Sequence, residues 1–517
     1  MLFFIPFVFL FLALALCCVR HMHFFQLNSY KFAEHRVWIR RNTAALAVLA
    51  VFSLLCLAAL LFEYIGSVIL LSAVILSYAL LAKPKSVRSS KKPLVFTPRV
   101  IRMLVTEAVI FLGAGAVFYF LIPIRFLPVF AAVCLLICPH ICLAANLINA
   151  PIEGAIRNRF TREAVSMLRS HPNLSVVGIT GSYGKTSTKY YLSTILSEKF
   201  DVLMTPGSFN TPMGVVRTVR ESLRPTHEIF ICEMGAKYVG DIKELCEIAE
   251  PRIGIISSIG VQHLDTFGSL ENIVSTKLEL FDYLTATGGK TVLNGDCALI
   301  RDSIKPDKGI IFCGKNGDIG ISDVTADERG TSFTVSIKGG ESFPMTVNLL
   351  GEHNVSNVAT AIAVALELGM TPDEIKRAAR KIKCAPHRLE LKSMGNGVII
   401  DDAYNANPAG TKAALAALAL FKDHCKIIVT PGMVELGTDP DSFNKALGSD
   451  AAAVCDYIFL VGKYSSHVIR SGALEAGFPE ERIFIYDRVE DAINAARTAV
   501  TDKPRAILLE NDLPDNY

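Results

Sequence analysis

Residues 176–191, VVGITGSYGKTSTKYY, combine glycines, a lysine and hydroxyl side chains in a spacing close to that of a phosphate-binding loop. The β-branched run that begins at Val176 predicts a strand, and a helix is expected to begin near Thr186. Backbone N–H groups at a helix start, together with the positive end of the helix dipole, bind phosphate. An ordinary glycine-rich turn is the alternative, since Ile179 stands where the common spacing has glycine.

A bound nucleotide would meet both a positive charge and hydroxyl groups in this loop. Lys185 would neutralise the outer phosphates, and the Thr186 hydroxyl would be a ligand of Mg²⁺. The residues expected to contact the phosphates are Gly181, Ser182, Gly184, Lys185, Thr186 and Ser187. The loop therefore predicts ATP and Mg²⁺ as cofactors.

Three polar residues beyond the loop also need an explanation. Glu233 ends an apolar segment that we interpret as a strand, and His263 follows a second such segment. Lys277 lies on the next predicted helix, at the same helical face as its apolar residues. Burying an ammonium group is unfavourable unless it is paired or chemically altered. Lys277 is thus either a core lysine in a salt bridge or a residue with a chemical role.

The elements that must position these residues follow from the pattern after residue 174, where strands and helices alternate. Such alternation predicts a mainly parallel sheet covered on both faces. Residues 227–236 and 252–260 are predicted strands, and 271–284 is a predicted helix. Segment 331–350 alternates with period two about a Gly-Gly turn, which predicts an antiparallel hairpin. A helix with a glycine stop is expected over 353–369.

A second unit of alternating short strands and helices begins near residue 385. Its pattern is typical of a doubly wound α/β domain that ends at Tyr517. The predicted fold class is an α-helical transmembrane domain followed by α/β domains, the first a P-loop ATPase domain and the second Rossmann-like. The predicted parts are a membrane domain over 1–150, a connecting helix over 151–173, a central ATP-binding domain over 174–384 and a C-terminal domain over 385–517.

The membrane domain is predicted from apolar residues, which make up 51% of the chain and are concentrated in its first 150 residues. Each of its apolar stretches has about the length needed to cross a hydrocarbon core of ~30 Å. The five stretches are 2–19, 44–62, 65–82, 103–122 and 127–148. A cleaved signal peptide is the alternative for the first stretch, which however lacks a basic start.

The charges between the stretches predict orientation. Segments 20–41 and 83–102 are rich in lysine and arginine, whereas the alternate short loops carry only Arg125. Positive loops stay cytoplasmic, so we expect a multi-pass protein of the cytoplasmic membrane with its N-terminus outside and everything after residue 150 in the cytosol. The amphipathic basic helix at 151–173 could lie on the membrane surface or pack on the following domain.

Other charged and sulfur-containing residues give weaker signals. Glu107 and His140 fall within apolar stretches, where snorkelling, helix packing or an ion path could explain them. Thirteen cysteines show no spacing typical of a metal site, which indicates small buried apolar residues. The net charge of +3 comes mainly from basic residues that topology requires, so no nucleic-acid partner is expected.

Nine strings across about 175–440 resemble, in family order, motifs of the Mur ligases, and within them the members that add D-alanyl-D-alanine in peptidoglycan synthesis. The strings are GITGSYGKTST, SFNTPMGV, EMGAKYVGDI, HLDTFGSLENIVSTKLE, LNGD, GEHNVSNVATA, APHRLE, DDAYNANP and PGMVELG. The resemblance implies an ATP-dependent ligase that activates a carboxylate as an acyl phosphate and joins it to an amine. Its substrates would be a muramoyl-peptide-type carboxylate and an amino acid or dipeptide.

The resemblance also implies roles for single residues. Glu233, His263 and a carbamylated Lys277 look like the groups that organise two Mg²⁺ ions, with Thr186 on the metal beside the γ-phosphate. Carbamylation would turn the buried cation into an anionic, carboxylate-like group. His263 and Lys277 would form the catalytic set together with Lys185. An arginine from the C-terminal domain would complete this set.

That arginine resembles Arg388, which would reach the γ-phosphate. Asp402 looks like the aspartate that contacts the nucleotide from the same domain. Asn354 and Asn357 resemble the residues that hold the adenine end, with Asn294 nearby. Because Arg388 and Asp402 come from the C-terminal domain, closure of the two domains is expected to assemble the site.

Two departures from the family leave the substrate open. Mur ligases of this kind carry a soluble N-terminal domain that grips the UDP group, and no such domain fits before residue 175. The last strand has Glu510 and Asp512 in place of a lysine and an arginine, which reverses the local charge and questions the identity of the amine.

The alternatives are a ligase for a lipid-linked or non-peptidoglycan carboxylate, such as a folylpolyglutamate or cyanophycin-type enzyme, and a regulatory or transport protein in the membrane that binds nucleotide. Membrane lipid is an expected partner, and the sequence predicts no oligomeric state.

Overall fold

The structure is a computed structural model that describes most of the chain. The described residues are 4–28, 30–41, 43–62, 64–81, 93–262, 264–404, 406–434, 439–462, 465–499 and 502–511. His263 and Asp512, both singled out above, lie outside these residues. The chain divides into two compact units, of which the first extends to Arg159 and the second begins at Phe160.

The first unit is helical. Its helices are α1 (Phe4–Leu27), α2 (Phe32–Arg41), α3 (Thr43–Ala58), α4 (Tyr64–Leu81), α5 (Pro98–Leu121) and α6 (Leu127–Arg169), the last of which continues into the second unit. Within the described residues, three helical segments are long and apolar enough to cross a membrane, namely Ile5–Leu27, Pro98–Leu121 and Ile124–Arg169. The two other predicted spans form shorter apolar helices, Ala47–Leu61 and Ile65–Leu81.

Cysteines pack between the helices of this unit, as the sequence predicts. The Sγ atoms of Cys18 on α1 and Cys138 on α6 lie 3.8 Å apart, and the Tyr78 hydroxyl on α4 donates to Cys17 Sγ at 3.1 Å. Glu107 is only 1% exposed, so it is buried among the helices and does not snorkel towards a polar surface. Among the explanations given above for Glu107, packing between helices therefore fits best.

Helix α6 runs without interruption from Leu127 to Arg169, with Pro139 and Pro151 inside it. The predicted connecting helix is therefore the continuation of the last apolar helix. Its Ala164 and Leu168 are buried in a hydrophobic cluster of the second unit. Of the two explanations offered for this amphipathic segment, packing on the following domain is confirmed for these residues.

The second unit contains two sheets, of which the first has the order β2-β3-β1-β4-β5-β6-β7-β8-β9. Its strands are β1 (Ser175–Thr180), β2 (Val202–Met204), β3 (Ile229–Glu233), β4 (Ile253–Ile256), β5 (Lys290–Asn294), β6 (Ile310–Gly314), β7 (Ile319–Asp327), β8 (Gly330–Ile337) and β9 (Ser342–Val347). Pairing is parallel from β2 through β7 and antiparallel for β7–β8 and β8–β9. The predicted hairpin is thus confirmed as β8–β9.

Helices cover both faces of this sheet, as expected for a mainly parallel sheet. They are α7 (Lys185–Leu196), α8 (Pro212–Ser222), α9 (Asp241–Ala249), α10 (Leu264–Phe267), α11 (Leu270–Thr287), α12 (Ala298–Ser303), α13 (His353–Glu367) and α14 (Pro372–Ala379). Alternate residues of β1 enter different clusters, since Val177 and Ile179 pack with α7 and α13 whereas Val176 packs with α8, α9 and α11.

The second sheet has the order β10-β11-β15-β12-β13-β14. Its strands are β10 (Glu390–Ser393), β11 (Gly397–Asp402), β12 (Cys425–Thr430), β13 (Tyr457–Val461), β14 (Ile483–Tyr486) and β15 (Arg505–Glu510), with helices α15 (Pro408–Ala419), α16 (Pro440–Val454), α17 (Ser466–Glu475) and α18 (Val489–Thr498). All neighbours pair in parallel except β10, which is an antiparallel edge strand. The strand that comes last in the chain, β15, is therefore central.

Candidate active site

The predicted phosphate-binding loop lies between the end of β1 at Thr180 and the start of α7 at Lys185. The Ser182 hydroxyl donates to the carbonyl of Gly260 at 2.9 Å, which ties the loop to the segment after β4. Gly184 has φ of +80°, and a Cβ at this position would lie 2.5 Å from Asn357 Oδ1. Only glycine fits there, because both the backbone conformation and the close approach exclude a side chain.

Lys185 folds back over the loop that precedes it. Its Nζ donates to the carbonyls of Gly181 and Ser182 at 2.6 and 3.1 Å. Burial lowers the pKa of Lys185 to about 8, and the nearby positive charge of Arg388 acts in the same direction. The ammonium group thus occupies the centre of the loop, where it would meet an incoming phosphate.

Thr186 and Glu233 meet beneath this loop. The Thr186 hydroxyl donates to Glu233 Oε1 at 3.0 Å, and Asn210 Nδ2 donates to the same oxygen at 3.3 Å. Neighbouring ligands of an octahedral Mg²⁺, each at about 2.1 Å from the ion, are separated by about 3 Å. The spacing and the hard oxygen atoms of Thr186 and Glu233 therefore fit adjacent ligands of one Mg²⁺. The predicted third ligand, His263, is outside the described residues.

Glu233 has a partner that the sequence analysis missed. Lys189 Nζ lies 2.8 Å from Glu233 Oε2, and the two side chains are 0% and 1% exposed. The same Nζ donates to the carbonyl of Gly207 at 2.5 Å. A signal was present in the sequence, because Lys189 follows Lys185 by four residues and so lies on the same face of α7.

Lys277 is buried on α11, as predicted, with 2% exposure. Its neighbours on that helix face, Ile273 and Leu280, are fully buried. Burial lowers the pKa of Lys277 to about 7, and repulsion from Lys185 acts in the same direction. A substantial part of the Lys277 amine is therefore uncharged and nucleophilic at neutral pH.

A cavity next to the loop gathers residues from both sheets of the second unit. The residues from the predicted set that line it are Gly184, Ser187, Asn294, Asn354, Asn357, Arg388 and Asp402. Tyr183 lines it as well, although sequence reasoning gave it no role. The structure thus brings the predicted adenine-side and C-terminal residues together around one opening. Thr186, Glu233 and Lys277 are not part of its lining.

Two asparagines on α13 have structural partners of their own. Asn354 is 4% exposed, with Oδ1 accepting from the Tyr191 hydroxyl at 2.8 Å and Nδ2 donating to the Leu350 carbonyl at 2.8 Å. Asn357 Oδ1 accepts from the Thr188 hydroxyl at 3.2 Å. Both side chains therefore fasten α13 to α7, the helix that carries the loop.

Arg388 is presented by a tight turn between the sheets. Its neighbours His387 and Leu389 have φ of +58° and +52°, which is unusual for residues with a side chain. The Leu389 N–H donates to Asp402 Oδ1 at 3.1 Å, and the Arg388 guanidinium carbon lies 4.3 Å from the ring centroid of Tyr404. The end of β11 therefore fixes the turn that carries the arginine.

Asp402 is half-buried and Glu510 is buried, although each carries a carboxyl group. Burial raises the pKa of Asp402 to about 6, although Arg388 acts in the opposite direction. Glu510 is 1% exposed, and its Oε1 accepts from the Thr411 hydroxyl at 2.7 Å. Glu510, which departs from the family pattern, is therefore an internal residue at the end of β15, and its side chain contacts Thr411 near the start of α15.

Comparison with known proteins adds a second line of information. Residues 179–365 match the family model of the Mur ligase middle domain, and residues 387–509 match that of the Mur ligase glutamate ligase domain. A relative from Bacillus subtilis, named UDP-N-acetylmuramoyl-tripeptide–D-alanyl-D-alanine ligase, is 34% identical over 325 residues, which cover 62% of this chain and 70% of the relative. A relative of the same name from Escherichia coli is 30% identical over 329 residues, covering 62% and 72%.

A solved structure shows that the likeness extends to the fold. The crystal structure of MurF ligase from Thermotoga maritima in complex with ADP aligns with a TM-score of 0.61 and 26% identity. The alignment covers 69% of this chain and 80% of that one. The matched sequence families begin at residue 179, after the apolar helices of the first unit.

Proposed function

We propose that this chain, which belongs to the Mur ligase family, is an ATP-dependent ligase that joins the carboxyl group of a muramoyl peptide to the amino group of D-alanyl-D-alanine or another amine. The observation that carries the proposal is the 3.0 Å contact between the Thr186 hydroxyl and Glu233 Oε1 beneath the phosphate-binding loop. Relatives named as D-alanyl-D-alanine ligases support the substrate class.

In the proposed reaction the loop and Lys185 bind and orient the phosphates of ATP. The substrate carboxylate attacks the γ-phosphorus, which gives an acyl phosphate and ADP. The amine then attacks the acyl carbon, and the tetrahedral intermediate collapses with loss of phosphate. Lys185 and Arg388 place positive charge where negative charge develops during phosphoryl transfer.

Thr186 and Glu233 are the residues proposed to hold Mg²⁺ with His263, and a second ion would need a further anionic ligand. Mg²⁺, when bound, supplies positive charge to the β- and γ-phosphates. We propose carbamylated Lys277 as that further ligand, because its buried amine has a pKa of about 7 and can react with CO₂. The reaction gives a carbamate and releases one proton.

We also propose which residues each of the two domains supplies to the site. The central domain, 174–384, would supply the phosphate loop, Glu233 and Lys277. The C-terminal domain, 385–517, would supply Arg388 and Asp402, which already line the same cavity as Ser187. Closure of the two domains would then complete the site after nucleotide binds.

We further propose a multi-pass location in the cytoplasmic membrane, with the N-terminus outside and the catalytic unit in the cytosol. The three helical segments that could cross a membrane support a membrane location, and the basic segments at 20–41 and 83–102 support the orientation. The apolar unit precedes the matched families, which favours a lipid-linked muramoyl peptide as a second candidate for the carboxylate substrate.

The test uses the full chain purified in detergent. Phosphate release is measured with Mg-ATP, UDP-linked or lipid-linked muramoyl tripeptide, and either D-alanyl-D-alanine or single amino acids. We expect turnover that requires both a carboxylate and an amine and is lost in Lys185→Met. A chain that releases phosphate no faster with any pair than with ATP alone would overturn the ligase proposal.

A further inference from the structure

Lys189 forms a buried ion pair with the carboxylate proposed to bind Mg²⁺. We infer that Lys189 is a resident cation that holds Glu233 while the nucleotide site is empty, so that the metal ion enters together with ATP and does not precede it. The inference rests on the proposed function, because it concerns the metal site of the same reaction.

The two oxygens of Glu233 have different partners. Oε2 faces Lys189 Nζ at 2.8 Å, whereas Oε1 accepts from the neutral groups of Thr186 and Asn210 at 3.0 and 3.3 Å. The Thr186 hydroxyl can rotate so that its oxygen becomes a metal ligand. Glu233 Oε1, which accepted the hydrogen bond from this hydroxyl, is then free to bind the metal as well. Oε1 can thus exchange a neutral donor for a cation, while Oε2 stays with the lysine.

Lys189 is held in place from a second side. Its Nζ also donates to the Gly207 carbonyl at 2.5 Å, and the side chain is fully buried. The same ammonium group therefore donates a hydrogen bond to Gly207 and forms an ion pair with Glu233. A charged side chain without exposure to water needs such partners, since an unpaired buried charge is strongly unfavourable.

The charges around Glu233 explain why free metal would be poorly attracted. Glu233 is the carboxylate beneath the loop, and Lys189 neutralises it. Lys185 lies on the same helix as Lys189, and the positive charge of Arg388 is near that of Lys185. The positive charges of Lys185, Lys189 and Arg388 repel a free divalent ion and attract the negative phosphates of a nucleotide, which bring the ion with them.

The experiment measures binding of Mn²⁺, a spectroscopic substitute for Mg²⁺, by electron paramagnetic resonance on the full chain without nucleotide. We expect wild type and Glu233→Gln to give the same weak background. Lys189→Met should gain one Mn²⁺ site, at least about tenfold tighter than that background, because it leaves the Glu233 charge uncompensated. The double variant Lys189→Met, Glu233→Gln should lose the new site.

Lys199→Met is the matched control. Lys199 lies just after the end of α7, and it forms an ion pair with Glu374 at 3.6 Å in a partly exposed position. This variant should bind Mn²⁺ as wild type does. If Lys189→Met does not fold, as judged by circular dichroism, Lys189→Gln takes its place. The comparison of wild type with Glu233→Gln tests the inference without any lysine variant. A Glu233-dependent Mn²⁺ site in nucleotide-free wild type would overturn the inference.

A Lys189→Met protein that folds but gains no Glu233-dependent site would also overturn it. These outcomes do not depend on whether the proposed ligase function is correct. Absent turnover with every substrate pair would remove the ligase proposal while the Mn²⁺ titration still reported on Lys189.

Discussion

Asp402 and Glu510 are Cα partners on the adjacent parallel strands β11 and β15, so two carboxyl groups lie side by side at the carboxyl ends of these strands. Glu510 Oε1 accepts from the Thr411 hydroxyl, whereas Oε2 has no hydrogen-bond partner among the described residues. Burial, and next the charge of Asp402, raise the pKa of Glu510 well above its ordinary value. The sheet therefore favours a protonated acid at this position.

The first prediction concerns the pH dependence of stability. A pKa raised in the folded state means that the group stabilises the fold fully below its unfolded pKa, near 4, and loses that contribution as pH rises. For Asp402 the loss runs through pH of about 6, and for Glu510 it runs through a pH well above the ordinary pKa of a glutamate. Glu510→Gln should raise stability by roughly 1–3 kcal/mol at pH 8 and by less at pH 5.

Thermal unfolding of the full chain at pH 5 to 8 measures this difference. Glu475→Gln is the control, because Glu475 is exposed and its pKa is lowered by hydrogen bonding to Lys445. Equal effects of Glu510→Gln at pH 5 and pH 8 would contradict the assignment.

The second prediction concerns the chemistry of Lys277. Incubation with ¹³C-labelled bicarbonate should give a carbamate signal in ¹³C NMR that Lys277→Arg lacks. Because only the neutral amine reacts with CO₂, the rate of labelling at a constant concentration of dissolved CO₂ should rise about tenfold per pH unit below 7 and level off above it. Lys277→Ala should lower turnover on the order of 10²–10³-fold, with partial rescue by a short carboxylate.

Lys199→Arg removes an exposed amine and should leave the labelling intact. A signal that persists in Lys277→Arg would place the carbamate on another residue.

The third prediction concerns the conformation of the loop. Gly184→Ala should abolish nucleotide binding, because its Cβ would meet Asn357 Oδ1 at 2.5 Å with φ at +80°. The matched control is Gly369→Ala, which has the same φ of +80° but open space around its Cβ. Strain alone should cost each variant about 1–3 kcal/mol of stability. Fluorescent-nucleotide titration separates the two, and equal binding by both variants would refute the steric argument.

The fourth prediction concerns Arg388. Arg388→Ala should lower turnover by about 10²–10³-fold, because it removes a positive charge expected at the transferring phosphoryl group. Nucleotide affinity should change far less, since Lys185 and the loop remain. Arg488→Ala removes an exposed arginine that forms an ion pair with Glu490 at 3.4 Å, so it should leave turnover unchanged. An Arg388→Ala enzyme with normal turnover would remove this residue from the proposed mechanism.

Local features of the fold could be predicted from the sequence. The order of strand, glycine loop and helix around Gly184 follows from neighbouring residues, and the burial of Lys277 follows from the period of α11. The ion pair of Lys189 and Glu233 could not be predicted, because it depends on how β3 is placed beside β1 in the sheet. The pattern on α7 shows only that Lys189 shares a face with Lys185.

The sequence did not predict that α6 continues to Arg169, and the reason is a different one. The apolar stretch ends at residue 148 and a basic, amphipathic segment begins at residue 151, and this change in composition predicts two separate segments. The structure instead continues the helix to Arg169 and buries Ala164 and Leu168 in the catalytic unit. Long-range packing thus overrides a local signal at this point.

The central position of β15 has a consequence for synthesis on the ribosome. Strands β11 and β12 emerge first, but each must wait for β15, which fills the gap between them. Until residues 505–510 have left the exit tunnel, the nascent chain holds two apolar strands with unpaired inner edges. A chain that ends before residue 505 would therefore leave these two strand edges unpaired, and unpaired edges are templates for pairing with other chains.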